Sequence, residues 1–379
     1  MKKNYQFIVL FILTIFNFIT VFSQNNSDFY LAENGVTCLC PEAEVGERGT
    51  LIINEEEKTF TKRSETELRN LIDADQNNPE IALSCVSGIT DMSGLFGGKT
   101  EFNQNIRSWD VSQVNTMKEM FASAANFNQS LNDWDVSQVY TMQSMFVFAS
   151  KFDQSLNNWN VSQVTDMSGM FEFAINFDQP LNNWNVSQVT SMRGMFNNAE
   201  NFNQTISDWN VSQVADMAGM FFNANQFNQP INNWDVSQVT NMFSMFRSAT
   251  SFNQDLSGWC VGQIPTEPGD FDTNTKNWTL PNSRPVWGSC PTLSTEMPNE
   301  LGFVLYPNPA SSQVYLNNPS NLKLSSLTIY DMTGRQIKSQ VISADGQASV
   351  DVLDLSSGSY ILKVNTKEGQ TWTQRLLVN

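Results

Sequence analysis

The sequence has 379 residues, with 38 acidic and 21 basic side chains, a formal net charge of −17 and no histidine. The missing histidine excludes Ser-His-Asp and Cys-His catalysis and histidine metal ligands. The negative charge argues against a nucleic-acid partner, because binding phosphate requires clustered lysine and arginine. Since 40% of the residues are apolar, the chain can bury a core and general disorder is not expected.

The N-terminus has the pattern of a secretion signal. Lys2 and Lys3 precede an apolar run from Phe7 to Phe22, and cleavage is expected after Ser23. A membrane anchor is the alternative, but the run is short for a spanning helix. Residues 1–23 are therefore predicted to be a signal peptide, and no membrane span is expected after its removal.

A motif with a period of 25 residues occupies the centre of the chain. It reads F-[N/D]-Q-x-[L/I]-x-x-W-[D/N]-V-S-Q-V-x-x-M-x-x-M-F-x-x-A-x-x. A strict period of this length is typical of a solenoid, in which stacked copies bury one another's apolar sides. The tryptophans that mark the copies are predicted core residues: Trp109, Trp134, Trp159, Trp184, Trp209, Trp234 and Trp259.

The spacing inside one copy predicts its local structure. Apolar side chains recur at three and four residues, which favours a short helix or 3₁₀ turn over Val139–Ala149. Residues Ser130–Asn132 are predicted to form a short strand, and stacked copies would align such strands in parallel. The expected fold class is an α/β repeat solenoid with short parallel strands and short helices, followed by a small all-β antiparallel sandwich.

Two polar positions recur with the same period. An Asn or Asp followed by Gln comes after the first Phe of each copy, as at Asn128-Gln129, and an Asp or Asn follows each Trp except Trp259, which Cys260 follows. Stacked amides can hydrogen-bond to one another and to turn backbone groups. A calcium ladder is the alternative, because these side chains offer oxygen ligands. Since Asn and Asp interchange freely, a structural ladder is favoured, and no metal site or cofactor is predicted.

The positions that differ between copies are expected to carry any binding specificity. Candidate residues of an exposed binding surface are Phe148, Phe173 and Phe222, together with Val147 and Glu172. A contiguous apolar patch there would indicate a partner site, although these side chains could also pack under the repeat flank. Residues 101–259 contain 14 acidic and 5 basic side chains, so this region should repel acidic polymers.

The repeat resembles the BspA-like leucine-rich surface-protein family. The matching residues include Trp159-Asn160-Val161-Ser162-Gln163-Val164-Thr165-Asp166-Met167. The resemblance implies a leucine-rich-repeat-like fold and a bacterial surface or secreted protein, with adhesion as the role presumed for family members. It implies a class of protein and names no ligand.

Cysteines in a secreted chain are interpreted first as disulfides. Cys260 is expected to pair with Cys290, which would fasten a turn-rich cap over the last repeat. Cys85 has two candidate partners, Cys40 and Cys38. The Cys-Pro-Glu-Ala context of Cys40 resembles the N-terminal cap of the same family, and pairing with Cys38 is nearly as plausible.

The last eighty residues show short alternating runs separated by turns, which predicts an antiparallel β-sandwich. The segment resembles the type A C-terminal sorting domain of the type IX secretion system. The residues that carry the resemblance include Tyr306, Pro307, Asn308, Pro309, Gly334, Gly358 and Tyr360. The resemblance implies a Bacteroidota source, export through the periplasm, contact of residues 301–379 with the secretion machinery, and a secreted or outer-surface location.

The predicted organisation has six segments: a signal peptide at 1–23, an N-terminal cap at 24–84, repeats at 85–259, a C-terminal cap at 260–290, a linker at 291–300 and the sorting domain at 301–379. The expected function is non-enzymatic binding of an unknown extracellular protein or glycan at the cell surface. A structural spacer or self-associating surface layer is the alternative. A glycosidase, which needs two carboxylates, is disfavoured because no pair stands out from the repeat pattern.

Overall fold

The computed structural model describes residues 28–281, 283–290, 303–318, 322–331, 335–342, 348–367 and 370–379. The predicted signal peptide and the predicted linker lie outside these residues. The chain divides into two compact units, residues 1–291 and 292–379. Each unit has its own hydrophobic core.

The first unit begins with two small sheets. Strand β1 (Tyr30–Leu31) pairs antiparallel with β2 (Cys38–Leu39). Strands β3 (Arg48–Ile53) and β4 (Glu56–Lys62) form an antiparallel hairpin. Strand β5 (Ser84–Cys85) joins β4 in parallel and leads the chain into the repeats.

Helix α1 (Glu65–Ala74) follows the hairpin and begins at a capping box. The Ser64 hydroxyl accepts a hydrogen bond from the Glu67 amide, and the Glu67 carboxylate accepts one from the Ser64 amide. A short 3₁₀ helix (Pro79–Ile81) comes next. Helix α1 buries two apolar side chains, Leu68 and Ile72, against the repeat core.

Each repeat is built from successive β-turns. The amide of Val139 donates to the carbonyl of Val136, that of Met145 to Met142, and that of Ala149 to Phe146. The first and fourth residues of each of these turns are apolar and buried. The three-residue apolar spacing in the sequence is therefore that of successive turns, whose first and fourth residues face the core.

The predicted α/β, leucine-rich-repeat-like solenoid is wrong. Residues 86–281 and 283–290 contain no helix and no strand of two or more residues, so neither the helix over Val139–Ala149 nor the strand at Ser130–Asn132 forms. Ser144 and Phe148 have φ angles of 53° and 57°, which interrupt any right-handed helix. The regular structure of the described residues is mostly strands in several antiparallel sheets, with α1 as their single α-helix.

Consecutive repeats stack in register through backbone hydrogen bonds; residues 86–259 are called the repeat stack below. Single-residue parallel bridges join Thr116 to Thr141 and Thr141 to Asp166, and so on along the stack. Alternate amides then donate to the next repeat, as Ser144 does to Ser168 and Phe148 to Glu172. The backbone amides along this side are thereby all paired, alternately with the neighbouring repeat and within their own repeat.

Three aromatic columns fill the core of the repeat stack: one of tryptophan and two of phenylalanine. Neighbouring rings are nearly parallel, as for Trp184 and Trp209 with centroids 6.4 Å apart and 3° between planes. The Trp184 indole N–H donates to the Leu156 carbonyl at 2.9 Å, and the bond recurs in each copy. All of the predicted core tryptophans are buried: Trp109, Trp134, Trp159, Trp184, Trp209, Trp234 and Trp259.

Disulfides fasten both ends of the repeat stack. Cys40 pairs with Cys85, and Cys260 pairs with Cys290. Of the two candidates for Cys85, the structure thus contains the Cys40 bridge, and Cys38 is a buried free thiol. Burial, reinforced by the nearby Asp110 carboxylate, raises the pKa of Cys38 to about 12, so this thiol is unreactive near neutral pH.

The C-terminal cap ends the aromatic columns by a change of ring geometry. Phe271 meets Phe246 at 84°, and Trp278 meets Phe252 at 87°. These edge-on rings cover the last stacked faces. The cap therefore removes a flat apolar end to which another copy could add.

The second unit is built of two antiparallel sheets around one core. The strands are β6 (Val304–Tyr306), β7 (Gln313–Asn317), β8 (Leu324–Tyr330), β9 (Gln336–Val341), β10 (Ala348–Asp351), β11 (Gly358–Thr366) and β12 (Thr371–Val378). The sheet orders are β10-β7-β6 and β12-β11-β8-β9. The core includes Phe303, Ile329, Leu362 and Trp372.

Truncating a tryptophan inside the stack should destabilise the first unit. We expect Trp184→Ala to lower the free energy of unfolding by roughly 3–5 kcal/mol, because it removes a buried ring and leaves the Leu156 carbonyl without its donor. Chemical denaturation followed by circular dichroism measures the loss. Phe148→Ser is the control: Phe148 is 49% exposed, Ser123 and Ser248 hold the same repeat position, and the change should cost less than about 1 kcal/mol. Equal stability of the two variants would contradict the assigned core.

Candidate functional site

A groove of about 430 Å³ runs along the surface of the repeat stack. Its lining comes from three recurrent positions, namely the first, second and fifth residues after the first Met of each copy, such as Met142. The lining begins at Gln143 and ends at Arg247, so five consecutive repeats contribute. We call this feature the variable groove, because its lining positions hold different residue types in different repeats.

Glycine forms the floor of the variable groove. Gly169, Gly194 and Gly219 occupy the same repeat position with φ angles of +63°, +61° and +63°. Ser144 and Ser244 hold the flanking copies of this position, also with positive φ. A Cβ atom at Gly169 would lie 3.0 Å from the Ser144 Oγ. Because glycine has no side chain, it adopts the positive φ angle without strain and keeps the centre of the groove open.

Charged side chains line the variable groove, and its arginines are paired. Arg193 lies 3.6 Å from Asp216, and Arg247 lies 2.7 Å from Asp270. Glu172 is the one carboxylate in the lining. Burial raises the pKa of Glu172, and the Arg193 charge acts in the opposite direction. The groove therefore combines compensated guanidinium groups with one partly desolvated carboxylate.

Two phenylalanines add apolar surface to the variable groove. Phe243 is 53% exposed, and a Cβ atom at Gly269 would lie 3.1 Å from its Cε2, so glycine there leaves room for the ring. The Arg247 guanidinium lies over the Phe222 ring, 5.7 Å from its centroid. An incoming ligand would meet aromatic rings and hydrogen-bonding groups side by side.

The structure divides the predicted binding residues between two places. Phe222 and Glu172 line the variable groove. Phe148 and Phe173 do not line it, and stack on each other with centroids 4.5 Å apart. Sequence analysis did not identify Arg193 and Phe243. The available signal was the position directly after the first Met, which holds Lys118, Gln143, Ser168, Arg193, Ala218 and Phe243 in successive copies.

A second recurrent feature, the Asn/Asp ladder, carries hydrogen bonds between repeats. Its members are Asn103, Asn128, Asp153, Asp178, Asn203, Asn228 and Asn253. The Asp178 Oδ1 accepts one hydrogen bond from the backbone amide of Asn203 at 2.9 Å and another from the side-chain amide of Gln204 at 3.0 Å. Only this oxygen is needed, and both Asn and Asp supply it, which explains why the two residues interchange.

The structure also places the predicted residues of the sorting motif, apart from Gly334, which lies outside the described residues. Tyr306-Pro307 and Asn308-Pro309 are cis peptide bonds. The Asn308 side chain donates to the Arg375 carbonyl and accepts from the Leu377 amide, both at 2.8 Å. The motif thereby holds the last strand, β12. Gly358 opens β11 opposite Val378, and the Tyr360 hydroxyl donates to the Ser356 carbonyl.

No helix among the described residues is long and apolar enough to cross a bilayer. Within that same part of the chain, no group of three or more Cys, Asp or Glu side chains is arranged to hold a metal ion.

Comparison with known families adds to this geometry. Residues 66–184 and 166–281, together more than half of the chain, match the family described as Mycoplasma protein of unknown function, DUF285. The chain belongs to this family. The match covers α1 except Glu65, the repeat stack and most of the C-terminal cap, so it includes the variable groove.

Residues 304–379 match the secretion system C-terminal sorting domain. The chain is therefore exported by the type IX secretion system to the cell surface or the medium, and this domain interacts with the secretion machinery. The match begins at β6, so the DUF285 repeats and the sorting domain lie in different compact units. No curated protein and no solved structure matches the chain.

The hydrogen bonds of the Asn/Asp ladder can be tested at Asp178. Asp178→Asn keeps the acceptor oxygen and should leave the free energy of unfolding nearly unchanged. Asp178→Ala leaves the backbone amide of Asn203 and the side-chain amide of Gln204 without their acceptor. It should lower the free energy of unfolding by about 1–3 kcal/mol. Thermal denaturation in calcium and in chelator provides the second readout. A melting temperature that rises with calcium in the wild-type chain would favour the calcium alternative over the structural ladder.

Removing residues 301–379 should trap the protein in the periplasm, because the sorting domain is lost while the predicted signal peptide at residues 1–23 remains. Cell fractionation and protease accessibility on intact cells measure the location. In the matched control, residues 301–379 fused to an unrelated periplasmic protein should carry it to the surface or the medium. Normal surface display of the truncated chain would refute the sorting role.

Proposed function

We propose that the chain is a non-enzymatic binding protein of the bacterial cell surface, of the BspA-like type and from the Bacteroidota, whose repeat stack adheres to an extracellular ligand. The observation that carries this proposal is the variable groove. Positions that differ between repeats, including Ser168, Arg193 and Phe243, line one continuous depression across five copies. Stacking aligns equivalent positions in any repeat protein, but a spacer without a ligand has no requirement for a depression at its variable positions.

The chemistry of the groove supports binding over catalysis. A glycosidase needs two carboxylates on either side of the scissile bond, and Glu172 is the one carboxylate in the groove lining. The chain has no histidine to serve as a general base. The rigid backbone of the repeats instead suits a preformed surface, which saves the entropy of ordering a loop when a ligand binds.

The export route supports the same proposal. A protein that the type IX system delivers to the surface or the medium meets ligands outside the cell. Its net charge of −17 disfavours acidic polymers as partners, so neutral glycans and extracellular proteins are the classes to test.

The purified full chain should bind specifically to members of an array of extracellular proteins and glycans, and the binding should survive moderate salt because side-chain contacts in the groove are short-ranged. The matched control is residues 301–379 fused to an unrelated carrier, which should bind nothing on the array. Size-exclusion chromatography measures self-association in parallel. Absence of array binding together with ordered self-assembly would contradict the proposal and favour the surface-layer alternative.

A further inference from the structure

The variable groove contains groups suited to hydroxyl-rich ligands. Asn197 offers an amide, Glu172 a carboxylate and Arg193 a guanidinium within one continuous lining. Ser244 is only 5% exposed, and its hydroxyl has no hydrogen-bond partner in the described part of the chain. A sugar hydroxyl both donates and accepts, so it can bond to each of these groups.

The aromatic rings of the groove point to the same class of ligand. Phe243 is 53% exposed at the groove, and Phe222 lies beneath the Arg247 guanidinium. The exposed Phe243 ring beside hydrogen-bonding groups matches a ligand with an apolar C–H face and a polar rim. A pyranose ring has both, whereas a purely apolar or purely ionic ligand would use only part of the lining.

The charge distribution favours a neutral ligand. Arg193 and Arg247 are already compensated by Asp216 and Asp270. Residues 101–259, which include the whole groove, contain 14 acidic and 5 basic side chains. An anionic polymer would therefore approach a region of net negative charge without finding an uncompensated cation in the groove lining.

The backbone of the groove disfavours an extended peptide. The Gly169 amide donates to the Arg193 carbonyl, and the Gly194 amide donates to the Ala218 carbonyl. These main-chain bonds run between repeats along the floor. A peptide that binds by adding a strand needs free main-chain donors and acceptors, and these floor amides are occupied.

The length of the groove indicates an oligomeric ligand. Its lining spans five repeats, from Gln143 to Phe243 at one repeat position. Four steps at the strand spacing of about 4.8 Å give roughly 19 Å, which exceeds the size of one sugar ring.

We propose that the variable groove binds a neutral oligosaccharide of several sugar units, with Phe243 under the face of one sugar ring and with Arg193, Glu172, Asn197 and Ser244 bonded to hydroxyls. This assignment rests on the proposed function and names the ligand class and the site.

The test uses the purified full chain and two groove variants that copy neighbouring repeats. Phe243→Ala introduces the residue found at Ala218, and Arg193→Ser introduces the residue found at Ser168, so both replacements occur natively at this repeat position. The control is Phe148→Ser, which removes an equally exposed ring outside the groove lining. Thermal melts establish that all three variants are folded.

The probes are soluble β-glucan, xylan, mannan and starch, with heparin and polygalacturonate as acidic comparators and a panel of extracellular matrix proteins. We expect at least one neutral polysaccharide to bind, with affinity at least about tenfold lower in both groove variants and unchanged in Phe148→Ser. Both groove variants can be measured independently, so the failure of one to fold leaves the other as a test.

The possible outcomes separate this inference from the proposed function. Binding only to matrix proteins or only to acidic glycans would overturn the neutral-glycan assignment and leave a surface binding protein. Glycan binding that is lost in Phe148→Ser, or kept in both groove variants, would overturn the site. Absence of binding to every probe would count against the proposed function as well.

Discussion

The repeat stack depends on one constraint: each residue must meet its counterpart 25 residues away. Trp184 stacks on Trp209 and donates to the Leu156 carbonyl, while Asp178 accepts from the Asn203 amide. The ring columns, the Asn/Asp ladder and the backbone bonds all run along the same axis. An inserted residue would displace all of them together, so the strict period in the sequence follows from the need to keep several ladders in register.

The same constraint explains where the sequence is free to vary. Along the variable groove the register is held by main-chain bonds, as between the amide of Ser144 and the carbonyl of Ser168. These main-chain bonds do not depend on the side chain, so Gln, Ser, Arg, Ala and Phe can alternate at the position after the first Met. The stack thus separates stability from recognition: fixed residues form the core and ladders, and variable residues form the surface that we propose as the ligand site.

The export function is likewise separated from the repeats. The sorting domain has its own core, and Asn308 bonds the start of its first sheet to strand β12. The DUF285 unit has disulfides at both ends of the stack and edge-on rings over the last stacked faces. Disulfides suit a protein that leaves the reducing cytoplasm, which agrees with export by the type IX system.

The sequence by itself determined the period and the buried tryptophans, because both follow from residue types that recur at a fixed spacing. It left open whether Cys38 or Cys40 bonds to Cys85, since both lie within reach along the chain. It also predicted helices where the structure has turns, because three-residue apolar spacing is shared by helices and by successive β-turns, and positive φ at Ser144 and Phe148 is not marked by glycine. The variable groove was decided only by the tertiary structure, because stacking brings together single residues from five separate repeats, and no one repeat contains the site.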